Sequence, residues 1–198
     1  MARTNGQNHL NKDIRRQKIM DKALSVFAEK GYKKTSTDDI TARAKCSHGL
    51  FYHYFTDKDD VFIAIENEAR DKKREPYIIN WNDIKEKGGY DGLMMLTDTL
   101  AKILKGPNEI VEYWLVLSRD NFSLQYIPTV ENREEDKAIL LSLITKGQEE
   151  GKVRSGDPSQ ILQTMVDFMV GALKRRVSKH SQKFIIYEKE DIAHMFTK

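Results

Sequence analysis

The amino-acid sequence predicts an all-α protein, and three observations carry that expectation. Apolar residues recur at helical spacing: Ile19, Ala23, Val26 and Phe27 fall at i, i+4, i+7 and i+8 and form one face built for burial. No segment alternates apolar and polar residues over more than a few positions, and no Asn-Gly or Asp-Gly turn sits between β-branched runs. All four prolines, Pro76, Pro107, Pro128 and Pro158, follow residue 75 and lie near the ends of apolar-periodic stretches, where they punctuate helices.

The first helix is expected from about Lys12 to Lys30, with Asn11 as its N-cap and Gly31 as its left-handed stop, which leaves Met1 to Asn8 as a short polar arm. Ser36 and Asp39 have the spacing of a capping box, so a second helix starts there and ends near Ala44. Lys45-Cys46-Ser47 is a short turn with Ser47 as the next N-cap, and a third helix covers His48 to about Tyr54. Leu50, Phe51, Tyr54 and Phe55 offer apolar surface to the Val26/Phe27 face, leaving Ser47, His48, Gly49 and His53 free to enter a groove. Far downstream, Asp157-Pro158 caps a long amphipathic helix that ends near Lys174-Arg175-Arg176, and a last helix is expected from about Lys189 to Phe196.

Charge divides the chain at Lys58. Residues 1–58 hold 12 Lys and Arg against 6 Asp and Glu, a net +6, whereas residues 59–198 hold 21 against 24, a net −3. A basic unit of this size suits a polyanion, nucleic acid first, because Lys and Arg gain affinity by releasing condensed counterions. A solvated charged surface would show the same balance. We therefore expect two domains, 1–58 and 59–198. The longest apolar runs, Val61 to Ile65 and Tyr113 to Leu117, are five residues each, against roughly 20 needed to cross a bilayer. The polar N-terminus has no apolar segment of a secretory signal, and Cys46, the one cysteine, excludes an internal disulfide, so a cytoplasmic location is expected.

Two short helices joined by a three-residue turn and braced by a preceding amphipathic helix have the proportions of a helix-turn-helix, although such pairs also occur in α-domains that never meet DNA. The words at these positions are more specific: Gly31-Tyr32, Thr35-Ser36, Asp39-Ile40, Ala44, Leu50-Phe51-Tyr52-His53-Tyr54-Phe55 and Lys58. Together, over about residues 14–65, they resemble the tetracycline-repressor (TetR) family of transcriptional regulators. The resemblance implies that Tyr52 and Lys58 contact DNA phosphates, which position a protein without reading sequence. Thr35 and Ser36, at the start of the second helix, look like phosphate ligands too. At Gly49 the missing side chain lets backbone approach base edges. Two departures stand out. Lys45 occupies a place usually held by glycine, where a left-handed residue with a Cβ costs roughly 1–2 kcal/mol. Cys46 replaces a small aliphatic residue and reads as a buried small hydrophobe.

Through the same resemblance, the larger part is expected to hold a small-molecule effector among Trp81, Tyr113, Trp114, Phe122 and Tyr126, and to form a homodimer through Ile161, Met165, Phe168, Met169, Ala172, Ile192 and Met195. The apolar stripe by itself equally suits burial inside a monomer. The expected function is that of a regulator, a repressor that leaves a palindromic double-stranded operator when the effector binds, with no enzymatic activity, cofactor or metal. The alternative is an α-helical interaction protein whose basic module binds protein or RNA. His48 and His53 lie roughly 140° apart around a helix and so do not share a metal-binding face. Gly147 to Val153 lacks the spacing and the Ser/Thr of a phosphate-binding loop.

Overall fold

The computed structural model describes residues 5–69, 77–119, 133–178 and 185–198. Helix α1 spans Asn5–Lys30. It starts seven residues before the expected Lys12, so Asn11 lies inside the helix and caps nothing. Nothing from Gln7 to Asn11 stops a helix, and extending an existing helix costs far less than nucleating one. Further along, Ile19, Met20, Ala23, Leu24 and Phe27 are buried, and the helix ends as expected on Gly31, at φ 94°, whose N–H donates to the Phe27 carbonyl.

The next two helices follow their local signals. Helix α2 spans Thr37–Ala44: the Ser36 hydroxyl accepts from the Asp39 N–H at 3.2 Å, and the Asp39 carboxylate accepts from the Ser36 N–H at 3.1 Å. A hydrogen bond from Lys30, followed by those from Ser36, holds the Asp39 carboxyl down at about 2. Because that value is depressed below the ordinary 3.8, the contribution of this carboxylate to stability is present above that pH and lost as pH falls towards 2. We expect Ser36→Ala to cost about 1 kcal/mol, lowering the midpoint of a thermal melt by roughly 2–4 °C. Lys45 does take the left-handed conformation, φ 53° and ψ 50°, and Ser47 caps helix α3, His48–Tyr54, by accepting from the Leu50 N–H.

Helix α4, Lys58–Ala69, returns along α1 and buries Val61, Phe62 and Ile65. One buried cluster runs from Ile19, Phe27, Ile40 and Phe51 through Phe62 to Val111, Leu115, Leu173 and Ile192. It crosses the expected boundary at residues 58/59, which falls in the first turn of α4.

The remaining described helices are α5 (Trp81–Lys87), α6 (Gly89–Lys105), α7 (Asn108–Arg119), α8 (Arg133–Glu149), α9 (Pro158–Val177) and α10 (Lys189–Ala193). A second buried cluster joins Ile84, Leu93, Leu96, Leu143, Ile144 and Phe196. Helix α5 approaches α6 closely enough that a Cβ at Gly92 would come within 2.6 Å of the Ile84 carbonyl. Among the described residues, extended pairing is confined to an isolated antiparallel bridge between Val153 and Thr197, and no helix is long and apolar enough to cross a membrane. The stretch from Gly147 ends α8: the Gly147 carbonyl accepts the N–H groups of Lys152 and Val153.

Helix α9 corrects one expectation. Asp157 caps it as foreseen, accepting from the Ser159 N–H at 2.8 Å. Its apolar stripe, however, is buried within this chain: Ile161 and Met165 in the second cluster, Met169 and Ala172 in the first, along with Ile192 from α10. Phe168 and Met195 are half-buried, Phe168 standing edge-on against Tyr187 at 4.9 Å. Helical periodicity marks which face is buried, not which chain buries it. The outward face of α9 carries Gln163, Val166, Asp167 and Lys174, all exposed, and the half-buried Val170.

Candidate nucleic-acid interface

Helix α3 is held from behind. Phe51 and Phe55 are buried with their rings 5.9 Å apart, and the Arg16 guanidinium of α1 lies 5.1 Å from the centre of the Phe55 ring. At about 100° per residue, His48, Gly49, Tyr52 and His53 then share roughly 140° of arc on the opposite side. All four are exposed, as is Ser47 at the cap. The structure thus brings together five of the expected contact residues on one short helix. A Cβ built at Gly49 meets nothing within 4 Å, so no packing inside this chain requires glycine there. His48 Nε2 lies 3.6 Å from the Asp38 carboxylate of α2, and the Tyr52 ring stands edge-on to Phe51. Lys33 and Lys34 before α2, and Lys45 between α2 and α3, are exposed cations next to this surface in the chain.

Two expected phosphate ligands face elsewhere. Thr35 is buried, its hydroxyl donating to the Gly31 carbonyl at 2.8 Å and its N–H to the Tyr32 carbonyl, so it serves the turn and does not reach outward. Ser36 remains exposed. The Lys58 ammonium points back into the protein: it donates to the carbonyls of Tyr32 at 3.1 Å and Thr35 at 3.2 Å, and more loosely to that of Lys33. It also lies 4.8 Å from the centre of the Tyr32 ring. Sequence reasoning missed the neighbouring contact altogether, the Tyr32 hydroxyl donating to the Asp59 carboxylate. Burial, followed by the Asp59 hydrogen bond and the Asp59 and Asp57 charges, pushes the Tyr32 phenol well up, so it stays the donor.

In the larger part, Tyr113 and Trp114 of the expected effector residues stand edge-on to each other with their rings 5.9 Å apart. Tyr113 donates through its hydroxyl to the buried Glu66 of α4 at 3.1 Å, and the Trp114 indole donates to the Tyr77 carbonyl at 3.1 Å. Trp81 lines a shallow recess of about 390 Å3 with Ile78 and Ile79. A polar cleft of about 500 Å3 lies among Asp21, Ser25, Glu68, Tyr77, Asn108 and Glu112. Burial raises the Glu112 carboxyl above the ordinary range, partly offset by the Ser25 hydroxyl that donates to it at 3.1 Å. Neither of these two spaces gathers Trp81, Tyr113 and Trp114 together. Phe122 and Tyr126 lie outside the described residues.

Residues 19–65 match the family model described as bacterial regulatory proteins, tetR family. Over 54 residues the chain is 44% identical to the HTH-type transcriptional regulator HbdR of Aromatoleum sp. (strain CIB), a match that spans 27% of this chain and about a quarter, 24%, of that relative's length. A longer match, 25% identical over 170 residues and covering 83% of this chain and 82% of the other, is to the HTH-type transcriptional repressor Rv1474c of Mycobacterium tuberculosis. Among solved structures, the HlyIIR mutant protein aligns over 100% of both chains with a TM-score of 0.67 at 14% identity, a likeness of fold.

Proposed function

We propose that this chain, whose residues 19–65 match the tetR family of bacterial regulatory proteins, is a regulator of that family that binds duplex DNA through helix α3 and regulates transcription, as a repressor, without catalysing a reaction. The exposed arc of α3 is the observation that carries this reading. A short helix anchored by two buried phenylalanines presents Ser47, His48, Gly49, Tyr52 and His53 outward, the dimensions and polarity a major groove accepts. In this reading His48 and His53 read base edges, and the Tyr52 hydroxyl and Ser36 touch phosphates. Rv1474c, similar along most of this chain, is named a repressor, which favours repression over activation here.

Two copies are needed to read a palindrome, because recognition helices must meet major grooves about 34–36 Å apart or a multiple of that. We assign the pairing surface to the outward face of α9, around the exposed Val166, since the opposite stripe is already buried. A small molecule bound in the larger helical part would be the signal that releases DNA, and the cytoplasm, where the chromosome lies, is the compartment.

Gly49 provides the test that separates function from folding. Since a side chain there meets no protein atom, Gly49→Ala should leave stability unchanged or raise it by up to about 1 kcal/mol. The same methyl group should obstruct a closely approaching base edge and lower operator affinity by about 1–3 kcal/mol, read by fluorescence anisotropy on a duplex selected from a random library. Full affinity in Gly49→Ala would remove α3 as the reading helix.

A further inference from the structure

The first two residues of α4 grip the α1–α2 turn from two sides. Lys58 places its ammonium among the carbonyls of Tyr32, Thr35 and Lys33, and an ammonium has three protons to give. Asp59 accepts the Tyr32 hydroxyl, while the Tyr32 ring packs on Phe27 at 5.0 Å and Phe62 at 5.5 Å. The turn so held runs directly into the Ser36 cap of α2, and α2 packs on α3. Further along α4, Glu66 accepts from Tyr113 of α7 and Glu68 from Gln17 of α1. Helix α4 is thus fastened at its start to the turn that leads into the helix-turn-helix, and at its far end to the rest of the chain.

We propose that Lys58 and Asp59 are positioning residues, a latch between α4 and the α1–α2 turn that sets the pose of α2 and α3, so that Lys58 acts on DNA binding through the protein and not by touching a phosphate. This rests on the DNA-binding reading above. The two roles differ in chemistry. A phosphate contact needs only a reachable cation, and arginine serves it as well as lysine. The latch needs a compact ammonium that divides its protons among three converging carbonyls, which a planar guanidinium does not reproduce. Were the ammonium drawn away to DNA, the carbonyl of the buried Thr35 would lose this donor, and the Tyr32 carbonyl would be left with the Thr35 N–H alone.

The test uses the full chain carrying Lys58→Met, Lys58→Arg and Tyr32→Phe, each checked by a thermal melt. Affinity is measured on a duplex recovered by selection from a random-sequence library, over a range of salt. The latch predicts that Lys58→Met and Lys58→Arg both lose about tenfold or more in affinity with the slope of log affinity against log salt unchanged. Combining Lys58→Met with Tyr32→Phe should cost less than the two losses together. A slope lowered by about 0.9, the signature of one lost phosphate contact, together with full affinity in Lys58→Arg, would overturn it. So would unchanged affinity and slope in Lys58→Met.

A second readout needs no DNA. Hydrogen exchange at the Thr35 and Asp39 amides should speed up about tenfold in Lys58→Met, beyond any change in the α9 amides. Unchanged exchange there would refute the latch. If selection recovered no duplex at all, the DNA-binding reading would fail while exchange still decided whether the latch exists.

Discussion

Phe51→Ala should cost about 3–5 kcal/mol, enough to unfold the first helices of the chain or leave them marginal. Phe51 is 0% exposed and joins the cluster that holds Phe27, Ile40, Phe55 and Phe62. Truncation would leave a cavity in the shared core of the first helices, too tightly packed to refill it. DNA binding and the melt should collapse together. The next residue supplies the contrast: Tyr52 is 57% exposed, and Tyr52→Phe keeps the ring that stands against Phe51. That variant should melt with the unmodified protein and bind all duplexes more weakly by about the same factor, because a phosphate contact carries no base information. A change in base preference in Tyr52→Phe would contradict the phosphate assignment.

Val166→Glu, at a valine that is 40% exposed, should abolish dimers and, with them, tight binding to a palindrome. In a two-fold interface every residue appears twice, so one substitution introduces two carboxylates near the axis. An unpaired buried charge costs about 3–5 kcal/mol. Losing the second half-site removes the gain of linked binding, on the order of 10²–10⁴ in affinity. Light scattering at micromolar concentration should report a folded monomer. Met169→Glu provides the internal comparison: Met169 packs in this chain's own core, so that change should unfold the protein and not merely separate copies. A dimer that persists in Val166→Glu would move the interface away from the outward face of α9.

The helix-turn-helix was legible in the sequence because its signals are local. The capping box of Ser36 and Asp39, the Ser47 cap and the left-handed Lys45 each act within four residues, and the structure shows all of them. The start of α1 was not legible, since nothing in the sequence from Gln7 to Asn11 stops a helix that is already propagating. For Thr35 a signal did exist: a threonine four residues after Gly31 can return its hydroxyl to that carbonyl and so face inward. Lys58 gave none, because its partners lie 23 to 26 residues earlier in the chain.

The larger part illustrates the same division. Tyr113, Trp114 and Trp81 were grouped by residue type, yet Tyr113 is tied to Glu66 and Trp114 to Tyr77, partners 47 and 37 residues away. Aromatic composition reports material suitable for a pocket; the assignment of each ring to a cavity or to a hydrogen bond depends on tertiary packing. The α9 stripe is buried within this chain, whereas its pattern suits burial in a monomer or between copies alike, for a period of 3.6 residues contains no information on which chain lies opposite.

Selection of binding sites from a random-sequence duplex library with the full-length chain tests the central claim most directly. The expected product is an inverted repeat whose half-site centres lie one helical turn apart or a multiple of it. It should be bound at least about 10³-fold more tightly than a shuffled duplex, with affinity falling steeply as salt rises. A pool with no enriched repeat, or a shuffled duplex bound as tightly as the selected one, would contradict a sequence-reading role for helix α3.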